Sequence, residues 1–184
     1  VYTQCFAEGG HDATLDISML LDVTIAEAEL IKKNQANVDR HGIDASAFFT
    51  VKRTQFDDEK AINMQQLHNI VHARYAKLLG DIKRSLDDAG LSDFLQQGYV
   101  LTGGGSDMRG LLPLAKQMFA NKVHKANTNS AISPYAPFSD SDEKLRDLVT
   151  LIEQRKFQTA FGTLLYSQSE DFLHSEKASP DALK

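Results

Sequence analysis

Apolar positions recur at helical spacing along much of this chain, and the longest run lies near its middle. Met64, Leu67, Val71, Leu78, Ile82 and Leu86 fall on one stripe at steps of three, four and seven residues, with Ile70, Tyr75 and Leu79 beside it. That pattern predicts an amphipathic helix of about seven turns, ended by Gly90. Before it, Val1–Ala7 alternate loosely and read as a strand ending at Gly9-Gly10. Asp12 is placed to cap a helix over Ala13–Leu21, with Leu15, Met19 and Leu20 on its apolar face. Thr24-Ile-Ala-Glu27 has the form of a capping box, in which hydroxyl and carboxylate satisfy each other's free backbone donors. It opens a helix over Ile25–Asn34, joined to the previous one through a short corner. Ala47–Arg53 reads as a strand.

Beyond the long helix the pattern shortens. Gly98–Thr102 predicts a strand that runs straight into Gly103-Gly104-Gly105, and a helical segment over Asp107–Phe119 follows. Lys122–Ala126 predicts a short strand. Thr128–Asp142, with two prolines and several Ser, Asn and Asp residues, reads as a loop. A short helix is expected over Lys144–Gln154. The apolar segment Phe157–Tyr166 contains Gly162, which predicts close packing against a neighbour. From Ser167 to Lys184 the chain is polar and reads as a linker or frayed tail.

Composition narrows the class. The 184 residues are 42% apolar and 24% charged, as in a globular protein with a real core. A net charge of -5 argues against nucleic acid as a partner, which would require a basic face. Cys5 is the single cysteine and can form no internal disulfide, so a reducing cytoplasm is expected. No apolar run approaches the roughly 18 residues of a membrane span. The sequence opens at Val1 without an initiator methionine and is expected to be a fragment of a longer protein.

The glycine turn carries the candidate chemistry. Three residues without a Cβ serve either a sharp strand-to-helix connection or a loop that a ligand approaches closely. Such turns are where α/β proteins commonly place nucleotides. Two nucleotide motifs are excluded by spacing. Gly105 and Gly110 have the Walker separation, but Leu111-Leu112 stand where Lys and Ser/Thr are required; Met108 occupies the third glycine of a dinucleotide fingerprint.

The order of the pieces says more. Ala28-Glu-Leu-Ile-Lys32, then Ile70-Val-His-Ala-Arg74-Tyr75, then Val100-Leu-Thr-Gly-Gly-Gly105, then Thr159-Ala-Phe-Gly162-Thr-Leu-Leu-Tyr166 resembles the C-terminal half of the FtsA-type cell-division proteins. These are a bacterial branch of the actin-like ATPase superfamily, and the resemblance covers roughly Val1–Ser169. It implies an α/β fold: the second, ribonuclease-H-like lobe, a mixed sheet flanked by helices with an inserted smaller α/β subdomain. Residues 1–21 and 98–166 would form the large nucleotide-side subdomain, 22–97 the inserted one, and 167–184 a polar tail. In this family ATP, with magnesium, lies between two lobes. Gly103, Gly104, Gly105 and Ser106 match the loop along the adenosine and its first phosphate, and Glu29 and Lys32 match helix residues that reach the ribose and adenine. Apart from the resemblance, Glu29 and Lys32 read as solvated helix charges.

The same resemblance implies partners and limits. The family binds the C-terminal peptide of the tubulin-like FtsZ, self-associates in actin-like protofilaments, meets other division proteins, and lies on the cytoplasmic face of the inner membrane at the septum. Arg74 and Lys77 are the candidates near the FtsZ surface, with a structural ion pair the competing reading for Arg74. The phosphate loops and magnesium-holding residues have no match, so no catalytic residue is expected and the chain alone should not hydrolyse ATP. The membrane-binding C-terminal helix has no match either. Ser139–Lys156 departs from the family's pattern, as does Phe161, where valine is usual. Rival readings are a lobe of a superfamily small-molecule kinase and a pilus-assembly actin-like scaffold.

Remaining constellations read as structural. His68 and His72 share a helix face, but Asn69 stands where a metalloprotease needs Glu, and no third ligand is evident, so no metal is expected. His11-Asp12 lacks a nucleophile partner. Asp87-Asp88 and Asp140, Asp142 and Glu143 lack the pattern of a calcium loop.

Overall fold

The computed structural model describes residues 2–52, 58–95, 97–120, 122–126, 147, 150–152, 154–170 and 172. They fall into two compact units: residues 1–101 with 105–125, and residues 102–104 with 126–184. In the first unit the chain runs through α1 (Gly10–Leu21), α2 (Ile25–Asn34), β1 (Phe48–Lys52), β2 (Glu59–Asn63), α3 (Met64–Asp88), β3 (Tyr99–Leu101), α4 (Leu111–Met118) and β4 (Val123–Lys125). The second unit contains α5 (Gln158–Ser167). The described sheets are an antiparallel β1–β2 pair, with Phe48 opposite Asn63, and a parallel β3–β4 pair, with Tyr99 beside Val123. The expected mixed sheet is therefore seen as two small sheets.

Most elements follow the hydrophobic pattern. α3 spans 25 residues, about 38 Å at 1.5 Å per residue. Asn63 caps it, its side-chain oxygen accepting from Gln65 N–H at 2.7 Å. Its buried residues include Leu67, Ile70, Val71, Tyr75 and Leu79. α1, α4 and β2 all pack on it, so it is the spine of a core that contains Ile17, Leu21, Val38, Ile62, Leu67, Val71 and Val123, each fully buried. Burial of each such side chain contributes about 1.5–3 kcal/mol. α2 has the expected bounds, and Thr24 Oγ accepts from Glu27 N–H at 3.2 Å. The Glu27 carboxylate instead accepts from Lys52 N–H of β1 at 3.4 Å.

The corner between α1 and α2 is made by Asp22, left-handed at φ 58°, a conformation that a short polar side chain tolerates. Ser18 closes it: its carbonyl accepts from Val23 N–H at 3.1 Å and its hydroxyl donates to Val23 O at 2.7 Å.

Several expectations are corrected. Residues 2–7 form no strand, because no ladder partner lies beside them among the described residues; Tyr2 OH bonds the Ser85 hydroxyl at 2.9 Å, and Phe6 lines a groove with Ile82 and Leu86. α1 begins at Gly10, with Gly9 as its cap. Asp12 sits one turn in and accepts from Gly9 N–H at 2.6 Å. α1 buries Ala13, Thr14, Ile17 and Leu21, whereas Met19 and Leu20 are exposed. β2 was not expected: Glu-Lys-Ala-Ile-Asn carries one β-branched residue, Ile62, and gains its strand form from pairing with β1. Gly162 does not pack closely among the described residues, since a Cβ there would meet none of them within 4 Å. Of the helix expected over 144–154, residues 147 and 150–152 are helical; most of the rest, and the whole loop over 128–142, lie outside the described residues.

Candidate functional site

Glu29 and Lys32 stand one turn apart on α2 and meet. Lys32 Nζ lies 2.6 Å from Glu29 Oε2, and it also donates to Gly10 O at 2.8 Å and Thr14 Oγ1 at 2.7 Å. Each of the ammonium's three hydrogens thus has an acceptor. The Thr14 hydroxyl donates to Glu29 Oε2 at 2.5 Å, and Lys33 Nζ lies 3.2 Å from Glu29 Oε1. Burial pushes the Glu29 carboxyl up, but the bonds from Lys32, Thr14 and Lys33 together outweigh it and hold the group at about 2, against 4.5 ordinarily. The Tyr75 hydroxyl is raised by burial and by the charge of Glu29. The result is a pre-formed charged cluster of α1 and α2 whose carboxylate remains one-third exposed. It is suited to accept hydrogen bonds from hydroxyl or amino groups of a ligand.

The glycine turn differs from the simple strand–turn–helix expected. Gly103 takes φ 78°, and residues Gly104–Asp107 make a tight helical turn. α4 opens only at Leu111, behind Gly110, also at φ 78°. A Cβ on Gly110 would stand 2.3 Å from both Asn37 Oδ1 and Asp39 N, while Val38 N–H donates to Arg109 O at 2.9 Å. The chain after α2 therefore packs onto the approach to α4, and the helix starts where that contact ends, beyond the glycine triplet. Pro113 falls in the first turn, where its missing N–H costs nothing.

Gly104 and Gly105 are exposed, and a Cβ on Gly103 or Gly105 would meet no described residue within 4 Å. At Gly104 a Cβ would touch the Lys156 side chain at 3.4 Å. Ser106 is buried, at 4% exposure. A residue that sequence reasoning missed holds the start of the turn. Buried Gln158 accepts from the Thr102 hydroxyl at 2.6 Å and donates to Ala126 O at 3.4 Å. A polar residue opening a largely apolar helix was its only signal. Thr14 was missed as well, because its polar role appears only once α1 and α2 pack.

Arg74 reaches from α3 to α1. Its Nε and Nη2 donate to the two oxygens of Asp16 at 2.6 and 2.8 Å, and Glu8 Oε2 lies 3.5 Å from Nη1. Its guanidinium is held above its ordinary range by the Asp16 bonds. Lys77 bonds Glu8 and, at 2.9 Å, Asp81. His68 and His72 are structural in geometry: their Nδ1–H groups donate to Asn37 O and Val38 O, each at 2.9 Å. Ser92 bonds Asp87. Asp140, Asp142 and Glu143 lie outside the described residues. Among the described residues no three His, Cys, Asp or Glu side chains converge as a metal site, and no helix is long and apolar enough to cross a membrane.

The described residues thus define a mixed α/β protein of helices and small sheets, with an open glycine turn and a charged cluster at a helix corner. No protein-family model matches the chain. It is 31% identical over 127 residues to the cell division protein FtsA of Bacillus subtilis, covering 69% of this chain and 29% of that protein. Similarity to FtsA of Enterococcus faecalis is 30% over 122 residues, or 66% and 28% of the two chains. For FtsA of Helicobacter pylori it is 28% over 124 residues, or 65% and 25%. Over the matched stretch, about two thirds of its length, the chain is FtsA-like. The match spans less than a third of each of these relatives, and the mixed α/β fold is compatible with them.

Proposed function

We propose that this chain is part of a cell-division protein that binds ATP, self-associates in an actin-like manner and tethers the FtsZ ring to the inner membrane at the septum. The observation that carries the reading is the 31% identity to a cell division protein over 69% of the chain. In this proposal Gly103, Gly104, Gly105 and Ser106 pass along the adenosine and its first phosphate, and Glu29 and Lys32 serve the ribose and adenine. The open space at Gly103 and Gly105 and the ionised carboxylate of Glu29 support those roles. The subdomain division at 22 and 98 belongs to the same proposal. Nucleotide acts as a regulator, because only a ligand that binds one conformation better than another shifts their populations.

Arg74 and Lys77 are proposed to lie near the FtsZ-peptide surface. A fluorescein-labelled peptide of the FtsZ C-terminus, titrated into the folded chain, tests this by anisotropy. Saturable binding that is weakened several-fold by Lys77→Glu is expected; no saturation up to about 1 mM, the weak end of specific recognition, overturns the partner assignment. ATP binding by this chain alone is expected to be weak or undetectable by calorimetry, since the phosphate loops have no match in its sequence. Micromolar affinity would overturn that division of the pocket.

A further inference from the structure

A groove of about 830 Å³ lies between the turn at Arg40–Gly42, α3 and α4, and no role above uses it. It falls in the size range of ligand clefts, about 300–1,000 Å³. Arg40 and His41 stand at one wall, His72 on α3, and Leu114, Gln117 and Met118 on α4. It shares no residue with the Arg74 and Lys77 ion pairs.

The polar groups of the groove differ in how far they are already satisfied. The Asp39 carboxylate is turned onto His41, accepting from its backbone N–H at 3.1 Å and lying 3.2 Å from its ring Nδ1. His72 is fixed by its Nδ1–H bond to Val38 O, and in that tautomer Nε2 is the acceptor. The side chains of Arg40 and Gln117 make no hydrogen bond or ion pair with any described residue. The groove therefore offers one unengaged cation, one unengaged amide and one ring acceptor, set among the apolar surfaces of Ala76, Leu114 and Met118.

We propose that this groove binds a short peptide segment of a partner protein in which a carboxylate stands among apolar side chains. The cation complements the carboxylate. The amide and the ring nitrogen match backbone C=O and N–H groups, which a fatty chain would leave unpaired. Met118 supplies an adaptable apolar wall for the side chains. The site is independent of the ATP and FtsZ assignments and stands or falls separately from them.

The test is titration of the isotope-labelled 184-residue chain, followed by amide chemical shifts, with the acetylated, amidated probe Leu-Pro-Leu-Asp-Leu. Its Asn-for-Asp counterpart and octanoate serve as comparison probes. Saturable shifts centred on Arg40, His72 and Gln117 are expected, with about tenfold weaker binding of the Asn probe and of Arg40→Ala (R40A), the scale of one charge-assisted hydrogen bond. Arg40 is exposed, so the variant should keep its fold, checked by the unperturbed core amides. The proposal is overturned by any of three results: no saturation up to about 5 mM, equal binding of the Asp and Asn probes, or octanoate binding as tightly as the peptide.

Discussion

Replacing Glu29 by Gln removes one charge from the cluster at the helix corner and leaves its shape nearly unchanged. The folded protein holds this carboxyl at about 2, below its ordinary 4.5. A folded value below the unfolded one means that the contribution to stability is fully present above about 4.5 and is lost as pH falls toward 2. At about 1.4 kcal/mol per pKa unit the displacement corresponds to roughly 3 kcal/mol. The Glu29 side chain is one-third exposed, so water screens the pairs and a share of about 1–2 kcal/mol is expected. Lys32, only 12% exposed, loses its charged partner in the variant but keeps Gly10 O and Thr14 Oγ1, which limits the added penalty. Urea unfolding of both proteins at pH 7, 5, 4 and 3 reads the effect. Glu29→Gln should be less stable by about 1–2 kcal/mol at pH 7, with the gap narrowing as the wild-type carboxylate protonates. A gap that stays constant from pH 7 to 3, or is absent at pH 7, would refute the reasoning.

Two further outcomes follow from the structure. Gly110→Ala drives a Cβ to 2.3 Å from Asn37 Oδ1 and Asp39 N at a φ of 78°, and should cost about 2–4 kcal/mol; Gly103→Ala, at the same φ but with open space around it, should cost only about 1 kcal/mol, and equal losses in thermal unfolding would contradict the contact. For the bidentate pair, a double-mutant cycle with Arg74→Ala and Asp16→Ala should return a coupling of about 1–2 kcal/mol, whereas additive losses would show that the two residues act separately.

How far the fold was legible depended on whether a residue's role is set by its own segment. The long helix was legible because its stripe repeats along nearly all of a 25-residue helix, too many turns for chance. α2 was legible because Thr24 and the apolar spacing agree on its start. α1 was misread by a few residues: its buried face is Ala13, Thr14, Ile17 and Leu21, and a threonine and an alanine carry little hydrophobic signal beside exposed Met19 and Leu20. β2 owes its form to a partner strand, so no local pattern announced it. At the candidate site, the glycine triplet and the Glu29–Lys32 spacing are visible in one dimension. Thr14 and Gln158 are not, since each is defined by a packing contact across at least 15 residues of chain. The delayed start of α4 was likewise hidden, because it is imposed by the residues after α2.

The ion pairs on α3 also bear on how a partner's peptide could engage that face. Arg74 gives both oxygens of Asp16 a short bond and is three-quarters buried, so moving it to a new carboxylate would strand Asp16. Lys77 is half exposed and shares its charge between Glu8 and Asp81, Asp81 also being held by Arg84. An exposed pair of that kind contributes about 0–1 kcal/mol, so its exchange for a partner's carboxylate is nearly neutral in free energy. Within the proposed FtsZ surface the two residues therefore divide the work. Lys77 is the group that can change partners, and Arg74 fixes α1 against α3 so that Lys77 is presented on a rigid face. On that proposal a charge reversal at Lys77 is expected to weaken the peptide while sparing the fold. The same change at Arg74 acts first on stability and only through it on binding.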